Sequence, residues 1–121
     1  MTNIDATKFA FDSYVTAFSP ANEHMIDQYF ASDLAFFNHA QPGQFDLNYV
    51  KSGLAAFNEK YKDVKSEVKD VTAEEDRLAF RVEHRAFYEP EGKHVTVNVM
   101  NLYKLNDGKV KEWRVWFIQA P

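Results

Sequence analysis

Residues 77–88, RLAFRVEHRAFY, alternate strictly: Phe80, Val82, His84, Ala86 and Tyr88 fall on one face, and Arg81, Glu83 and Arg85 on the other. Side chains two apart share a face only in an extended chain, so this pattern predicts a strand with one buried side. The flanking sequence repeats it. Glu89-Pro-Glu-Gly92 reads as a hairpin turn, and residues 94–105 then place Val95, Val97, Val99, Asn101 and Tyr103 on one side. Asn106-Asp-Gly108 is a strong two-residue hairpin signal, because such turns need positive φ at their central residues. The last run, KVKEWRVWFI at 109–118, sets Trp113, Val115 and Phe117 opposite Arg114, Trp116 and Ile118. Upstream, residues 63–72 alternate charged with apolar or small side chains, which completes a four-strand antiparallel meander.

The first half of the chain reads as helix. In residues 6–18, Phe11, Tyr14, Val15 and Phe18 follow i, i+3, i+4, i+7 and predict one apolar stripe, with Asp5 as N-cap and Ser19-Pro20 as the stop. A shorter helix is expected after Asn22, with Ile26, Tyr29 and Phe30 inward. Residues 34–38 (LAFFN) are a short strand, HAQPGQ is a loop, and Asp46 caps a third helix to about Lys60 through Val50, Gly53, Leu54 and Phe57. Helices followed by a meander make an α+β domain, helices packed on one sheet face, and residues 1–121 are read as a single domain.

Composition narrows the function. The 121 residues are 45% hydrophobic and 16% aromatic, with 11 Phe, which suits a core or pocket wall built from rings. The net charge is −4 and no basic block exists, so nucleic acid and anionic membrane surfaces are disfavoured as partners. Without cysteine there is no disulfide, thiolate nucleophile or zinc ribbon. No apolar run reaches the ~20 residues of a membrane span, and MTNIDATKFAF lacks the pattern of a secretory signal. A cytoplasmic protein is the expectation. Three inward histidines are not predicted, so neither a metal nor another cofactor is expected.

Several strings resemble the nuclear transport factor 2-like superfamily, in particular its SnoaL-like and ketosteroid isomerase-like domains: YFASDLAFFNH, SEVKDVTAEEDRLAFRV and DGKVKEWRVWF. The resemblance spans nearly the whole chain. It implies a cone-shaped, curved, mainly antiparallel sheet and three N-terminal helices enclosing a mostly apolar pocket, with frequent dimers. It also shows departures. The general-base Asp of ketosteroid isomerases matches Asn38, and their protonated oxyanion-hole Asp matches Asn101; only their helix-one Tyr is kept, as Tyr14. The Asp of SnoaL-like cyclases matches Val115. The Asp–Arg–Asp set of epoxide hydrolases of this fold falls near His84, Val82 and Val115. An amide accepts no proton near neutral pH, so Asn38 cannot replace a carboxylate base.

Strand alternation and the resemblance together predict an inward polar set of Tyr14, Asn38, His84, Asn101 and Tyr103, walled by Phe36, Val82, Trp113, Val115 and Phe117. His84 is the one member that changes charge near neutral pH. Three readings stay open. In the first, His84 is the acid/base of an isomerase, cyclase or dehydratase acting on a small, hydrophobic, oxygenated molecule, with Asn101, Asn38 and Tyr14 orienting or polarising its carbonyl or hydroxyl. Scytalone dehydratase, on this fold, performs dehydration with a His and Asn pocket. In the second, the pocket binds such a ligand without catalysis. In the third, the sheet face is an association module. A functional His84 is expected to aim one ring nitrogen at a ligand oxygen shared with Asn101; a structural one has both nitrogens engaged by protein. Trp116 and Arg114, forced to the outer sheet face, are expected to form a homodimer contact.

Overall fold

The computed structural model describes residues 3–118. Helix α1 (Asn3–Ala10) runs into a π-helical turn at Phe11–Thr16. A 3₁₀ turn (Pro20–Met25) leads to the short α2 (Ile26–Tyr29) and directly into β1 (Phe30–Asn38). Helix α3 (Leu47–Lys60) precedes the meander of β2 (Tyr61–Glu74), β3 (Arg77–Tyr88), β4 (Lys93–Asn106) and β5 (Lys109–Ile118). The strands form one mostly antiparallel sheet in the order β1-β5-β4-β3-β2, curved and unclosed, with β1 parallel to β5.

The sheet follows its sequence closely. Strand β3 has the expected bounds, and Phe80, Val82, His84 and Ala86 are all buried. The β4–β5 turn has positive φ at Asp107 (53°) and Gly108 (78°), the backbone that its Asn-Asp-Gly sequence favours. Strand β2 is longer than 63–72 and breaks register with β3 twice, between Lys62 and Lys65 and between Lys69 and Thr72. A left-handed aspartate sits in each break, Asp63 at φ 52° and Asp70 at φ 56°. Asp tolerates this conformation better than most residues, and the extra residue at a bulge bends its strand. The bends curl β2 over the inner face.

The N-terminal elements depart from expectation in an instructive way. Phe11 does not join the core stripe; it is 45% exposed. The seam against the sheet is made by Ala6, Ala10, Ser13 and Ala17, all fully buried. Small side chains let the helix backbone approach the sheet, and the aromatics that flank the seam, Tyr14 and Phe18, are half-buried. Asp5 lies within the first turn of α1 rather than at its cap. Phe30, expected on a helix, opens β1, which is four residues longer at its start than the LAFFN reading. Gly53 is exposed, and α3 packs through Leu47, Val50 and Leu54. Its expected cap holds, with Asp46 Oδ1 accepting from Tyr49 N at 2.9 Å.

The core is dominated by rings. Tyr103, fully buried, lies 5.0 Å from Phe80, 5.9 Å from Phe30 and 5.8 Å from Trp113 by ring centroids, with edge-on geometry throughout. The outer face of the sheet carries ion pairs at β2–β3, where Glu83 meets Lys69, Arg81 and Arg85. Toward β5 it becomes apolar, with Trp116 37% and Ile118 44% exposed.

If the alanine seam sets the helix–sheet distance, Ala10→Leu should lower stability by about 1–3 kcal/mol through overpacking. Phe11→Ser, in contrast, should fall within about 0.5 kcal/mol of the parent. Urea denaturation of the two variants measures both.

Candidate functional site

The polar set expected to point inward divides into two groups. The first is sealed in the core. Asn101 is 1% exposed; its Nδ2 donates to Val99 O at 3.1 Å and its Oδ1 accepts from Trp113 Nε1 at 3.0 Å. Tyr103 is paired with Ser13, hydroxyl to hydroxyl, at 3.1 Å. Burial raises its phenol pKa well above the ordinary value. Asn101, Tyr103 and Val82 do not line the cavity. The reason is depth along the strand: on β4 the cavity is lined by Val97 and Val99, whereas Asn101 and Tyr103 lie further on, paired with Phe80 and Leu78 of β3, which are fully buried and do not line it. The arrangement in which Asn101 shares a ligand oxygen with His84 is therefore not the one formed. Asn101 instead fixes the indole of Trp113, which is a cavity wall.

The second group surrounds a cavity of about 590 Å³ between the helices and the curled sheet. Tyr14, Phe36, Asn38, His84, Trp113, Val115 and Phe117 all line it, as the sequence reading expected. The walls are mainly aromatic and aliphatic. The mouth is formed by exposed residues, Val64 (37%) and Phe117 (54%) among them, with Lys62 and Asp63 beside them. Asp63 is the one carboxylate among the lining residues. Asn38 lines the cavity, but its Oδ1 accepts from Ala40 N at 2.9 Å, a turn-forming contact at the end of β1.

His84 lies at the polar centre of this cavity and is 8% exposed. Both ring nitrogens are engaged by protein hydroxyls, the arrangement expected of a structural histidine. Nε2 is 3.1 Å from Tyr14 Oη, and Nδ1 is 2.7 Å from Ser66 Oγ. Ser66 faces His84 directly across the β2–β3 ladder, and Tyr14 arrives from the π-helical turn with its ring stacked on the imidazole at 5.5 Å. Phe57 covers another side at 5.7 Å. Burial among these groups disfavours the imidazolium and lowers the His84 pKa from 6.5 to about 4, so the ring is neutral at physiological pH. Burial also raises the Tyr14 phenol, which stays protonated. A neutral imidazole has one donor and one acceptor nitrogen, so one hydroxyl donates to it and the other accepts from it.

Sequence reasoning did not single out Ser66, Phe57 or Asp63. Ser66 had a readable signal, since alternation places it with Val68 on the inner side of β2. The register that sets it opposite His84 depends on the bulge between Lys62 and Lys65, and no local pattern announces that bulge. Among the described residues no cluster of three or more His, Asp or Glu side chains is placed to hold a metal ion. No helix among them is long and apolar enough to cross a membrane.

A sequence-family model for the SnoaL-like domain matches residues 11–113. The chain belongs to the SnoaL-like domain family. Solved structures agree on the nuclear transport factor 2-like fold. AclR from Streptomyces galilaeus, provisionally assigned as a hydroxylase, superposes with a TM-score of 0.82 at 20% identity, over 99% of this chain and 83% of its own. A provisionally assigned SnoaL-like polyketide cyclase from Jannaschia sp. CCS1 gives 0.77 at 17% identity, over 95% and 84%. An LEH-like epoxide hydrolase from M. tuberculosis gives 0.70 at 14% identity, over 95% and 84%. At these identities the likeness establishes the SnoaL-like fold and no more. No curated protein matches the chain by sequence.

The buried imidazole makes stability depend on pH with a defined sign. Between pH 6.5 and about 4 the unfolded chain binds a proton at His84 that the folded chain does not, so stability is lost as pH falls through that window. The loss attributable to this group is on the order of 3 kcal/mol when the window has been crossed. Denaturation of wild type and His84→Gln at pH 7 and pH 4.5 should show a smaller pH-induced loss in the variant.

Proposed function

We propose that the chain binds a small, mostly apolar, oxygen-bearing organic molecule in the 590 Å³ cavity and performs acid–base chemistry on it, of the isomerase, cyclase or dehydratase kind. The observation that carries this reading is the Tyr14–His84 pair. A phenol that lines an aromatic cavity is hydrogen-bonded to an imidazole kept neutral by burial. His84 acts as the acid/base through Tyr14, whose hydroxyl is the group that meets a ligand carbonyl or hydroxyl. Asn101 serves from behind, by holding the Trp113 wall. The enzymatic names carried by three structural neighbours, a hydroxylase, a polyketide cyclase and an epoxide hydrolase, are in keeping with a pocket that does chemistry. No carboxylate base is part of the proposal, because Asn38 and Val115 stand where related enzymes carry one and Asp63 lies at the mouth.

One observation favours a second reading, a binding pocket without catalysis: protein hydroxyls occupy both nitrogens of His84. Calorimetric titration with aromatic ketones, paired with turnover assays on the same compounds, separates the two. Tyr14→Phe should weaken binding by roughly three- to tenfold, the value of one neutral hydrogen bond. If the variant binds as the wild type does, the phenol does not contact the ligand.

The outer sheet face is proposed as the surface for a second copy of this chain. Trp116 is stacked on His39 at 4.2 Å, and Arg114 sits over the Phe37 ring at 4.1 Å. Trp116 is 37% exposed, and Ile118 on the same face is 44% exposed. Sedimentation at micromolar concentration is expected to give twice 14.1 kDa, and Trp116→Glu to give the monomer. A cytoplasmic setting is part of the same proposal, to be read by cell fractionation.

A further inference from the structure

His84 has a hydroxyl on each side, and both hydroxyl-bearing residues line the cavity. Neither Tyr14 Oη nor Ser66 Oγ has a second side-chain or backbone partner among the described residues. A hydroxyl donates one hydrogen bond and accepts through two lone pairs, so each keeps spare capacity after pairing with the imidazole. What each offers depends on the tautomer of the ring. With the proton on Nδ1, Tyr14 donates to Nε2, the ring donates to Ser66, and the Ser66 proton is free to point into the cavity. With the proton on Nε2, the ring donates to Tyr14, Ser66 donates to Nδ1, and the free proton is that of Tyr14. One end of the triad is always a donor toward the cavity, and the other is always an acceptor.

Resting on the acid–base reading of this cavity, we infer that Ser66, His84 and Tyr14 form a two-ended relay that tautomerises an enolisable 1,3-dicarbonyl or closely similar ligand. Ser66 is then a second ligand-contacting residue beside Tyr14. The step balances without any ion in the site. The ligand C–H bond beside Tyr14 breaks and its proton passes to Tyr14 Oη, whose own proton moves to Nε2. The Nδ1 proton passes to Ser66 Oγ, and the Ser66 proton forms an O–H bond on the ligand carbonyl at the other end. The electron pair released at carbon becomes the enol double bond. The protein ends neutral, with the imidazole in its other tautomer, and tautomer exchange in the free protein, through water at the two hydroxyls, resets it for the next ligand. A neutral path suits this site, because the aromatic walls that disfavour an imidazolium would equally disfavour a phenolate. The chain of two hydroxyls and one ring moves the proton with no carboxylate hydrogen-bonded to the imidazole.

The test uses benzoylacetone, an aromatic 1,3-diketone whose enol absorbs in the near ultraviolet, with the purified full chain. Wild type should bind it by calorimetry and accelerate keto–enol relaxation above buffer. Ser66→Ala should weaken binding by no more than roughly tenfold, the value of one neutral hydrogen bond, and lose roughly 100-fold of the acceleration at saturating ligand, the low end of what a positioned proton-transfer group contributes. Ser66→Thr, which keeps the hydroxyl, should recover most of it. Binding with equal acceleration in wild type and Ser66→Ala overturns the relay and leaves the ligand reading standing. Failure of wild type to bind the diketone contradicts the ligand reading itself. Nitrogen-15 spectra of His84 in the free protein give an independent check. Exchange between two tautomers, seen as intermediate shifts at both ring nitrogens, is expected, and a ring locked in one tautomer overturns the relay.

Discussion

The site depends on one cross-strand pair. His84 on β3 faces Ser66 on β2, and the imidazole is then closed from the helix side by Tyr14. A histidine on the inner face of a sheet is costly when charged and costly when neutral but unpaired. The fold meets both demands by keeping the ring neutral and giving each nitrogen a hydroxyl. That solution fixes more than the ring. It requires the β2 bulge near Asp63, which sets Ser66 opposite His84. It also requires the first helix to pass close enough for Tyr14 to reach. The alanine seam provides that approach, since Ala6, Ala10 and Ala17 are fully buried where larger side chains would hold the helix away. The π-helical turn carries Ser13 to Tyr103 and Tyr14 to His84 from adjacent positions.

The division between core and cavity follows from the same geometry. Positions 80, 82 and 84 alternate onto one face of β3, yet only 84 lines the cavity. Phe80 is covered by the aromatic core, its ring edge-on to Tyr103, and Val82 is fully buried beside Val99. Asn101 lies on the core side of that boundary. Its two hydrogen bonds hold Trp113 and satisfy Val99 O, so the amide is part of the packing. The charged lining residues, Lys62 and Asp63, are exposed, and the groups that surround His84 are neutral.

Much of this was legible in the sequence. The β-meander, the Asn-Asp-Gly turn, the Asp46 cap and the inward placement of His84 all follow from period and turn chemistry, which act between near neighbours. The SnoaL-like relationship was readable in three short strings. The errors have a common physical origin. Phe11 was placed inward because a bulky ring outweighs an alanine in a periodicity reading, although close packing selects the small side chain. Asn101 and Tyr103 were assigned to the pocket because alternation gives the face of a strand and not the depth along it. Ser66 was passed over because its partner is fixed by a bulge, which is a tertiary feature with a weak local signature. His39 and Trp116, remote in sequence, meet because β1 runs parallel to β5, an arrangement that alternation does not determine.

The account stands on a neutral imidazole clamped between two hydroxyls in an aromatic cavity. The most direct test is a pH titration of the His84 ring followed by nuclear magnetic resonance, with assignment by comparison to His84→Gln. The ring is expected to stay neutral from pH 7 down to pH 5 and to approach protonation only near pH 4, its pKa being lowered to about 4 by burial. A midpoint near the free value of about 6.5 would mean that water reaches the ring and that the imidazole is not held neutral between the two hydroxyls.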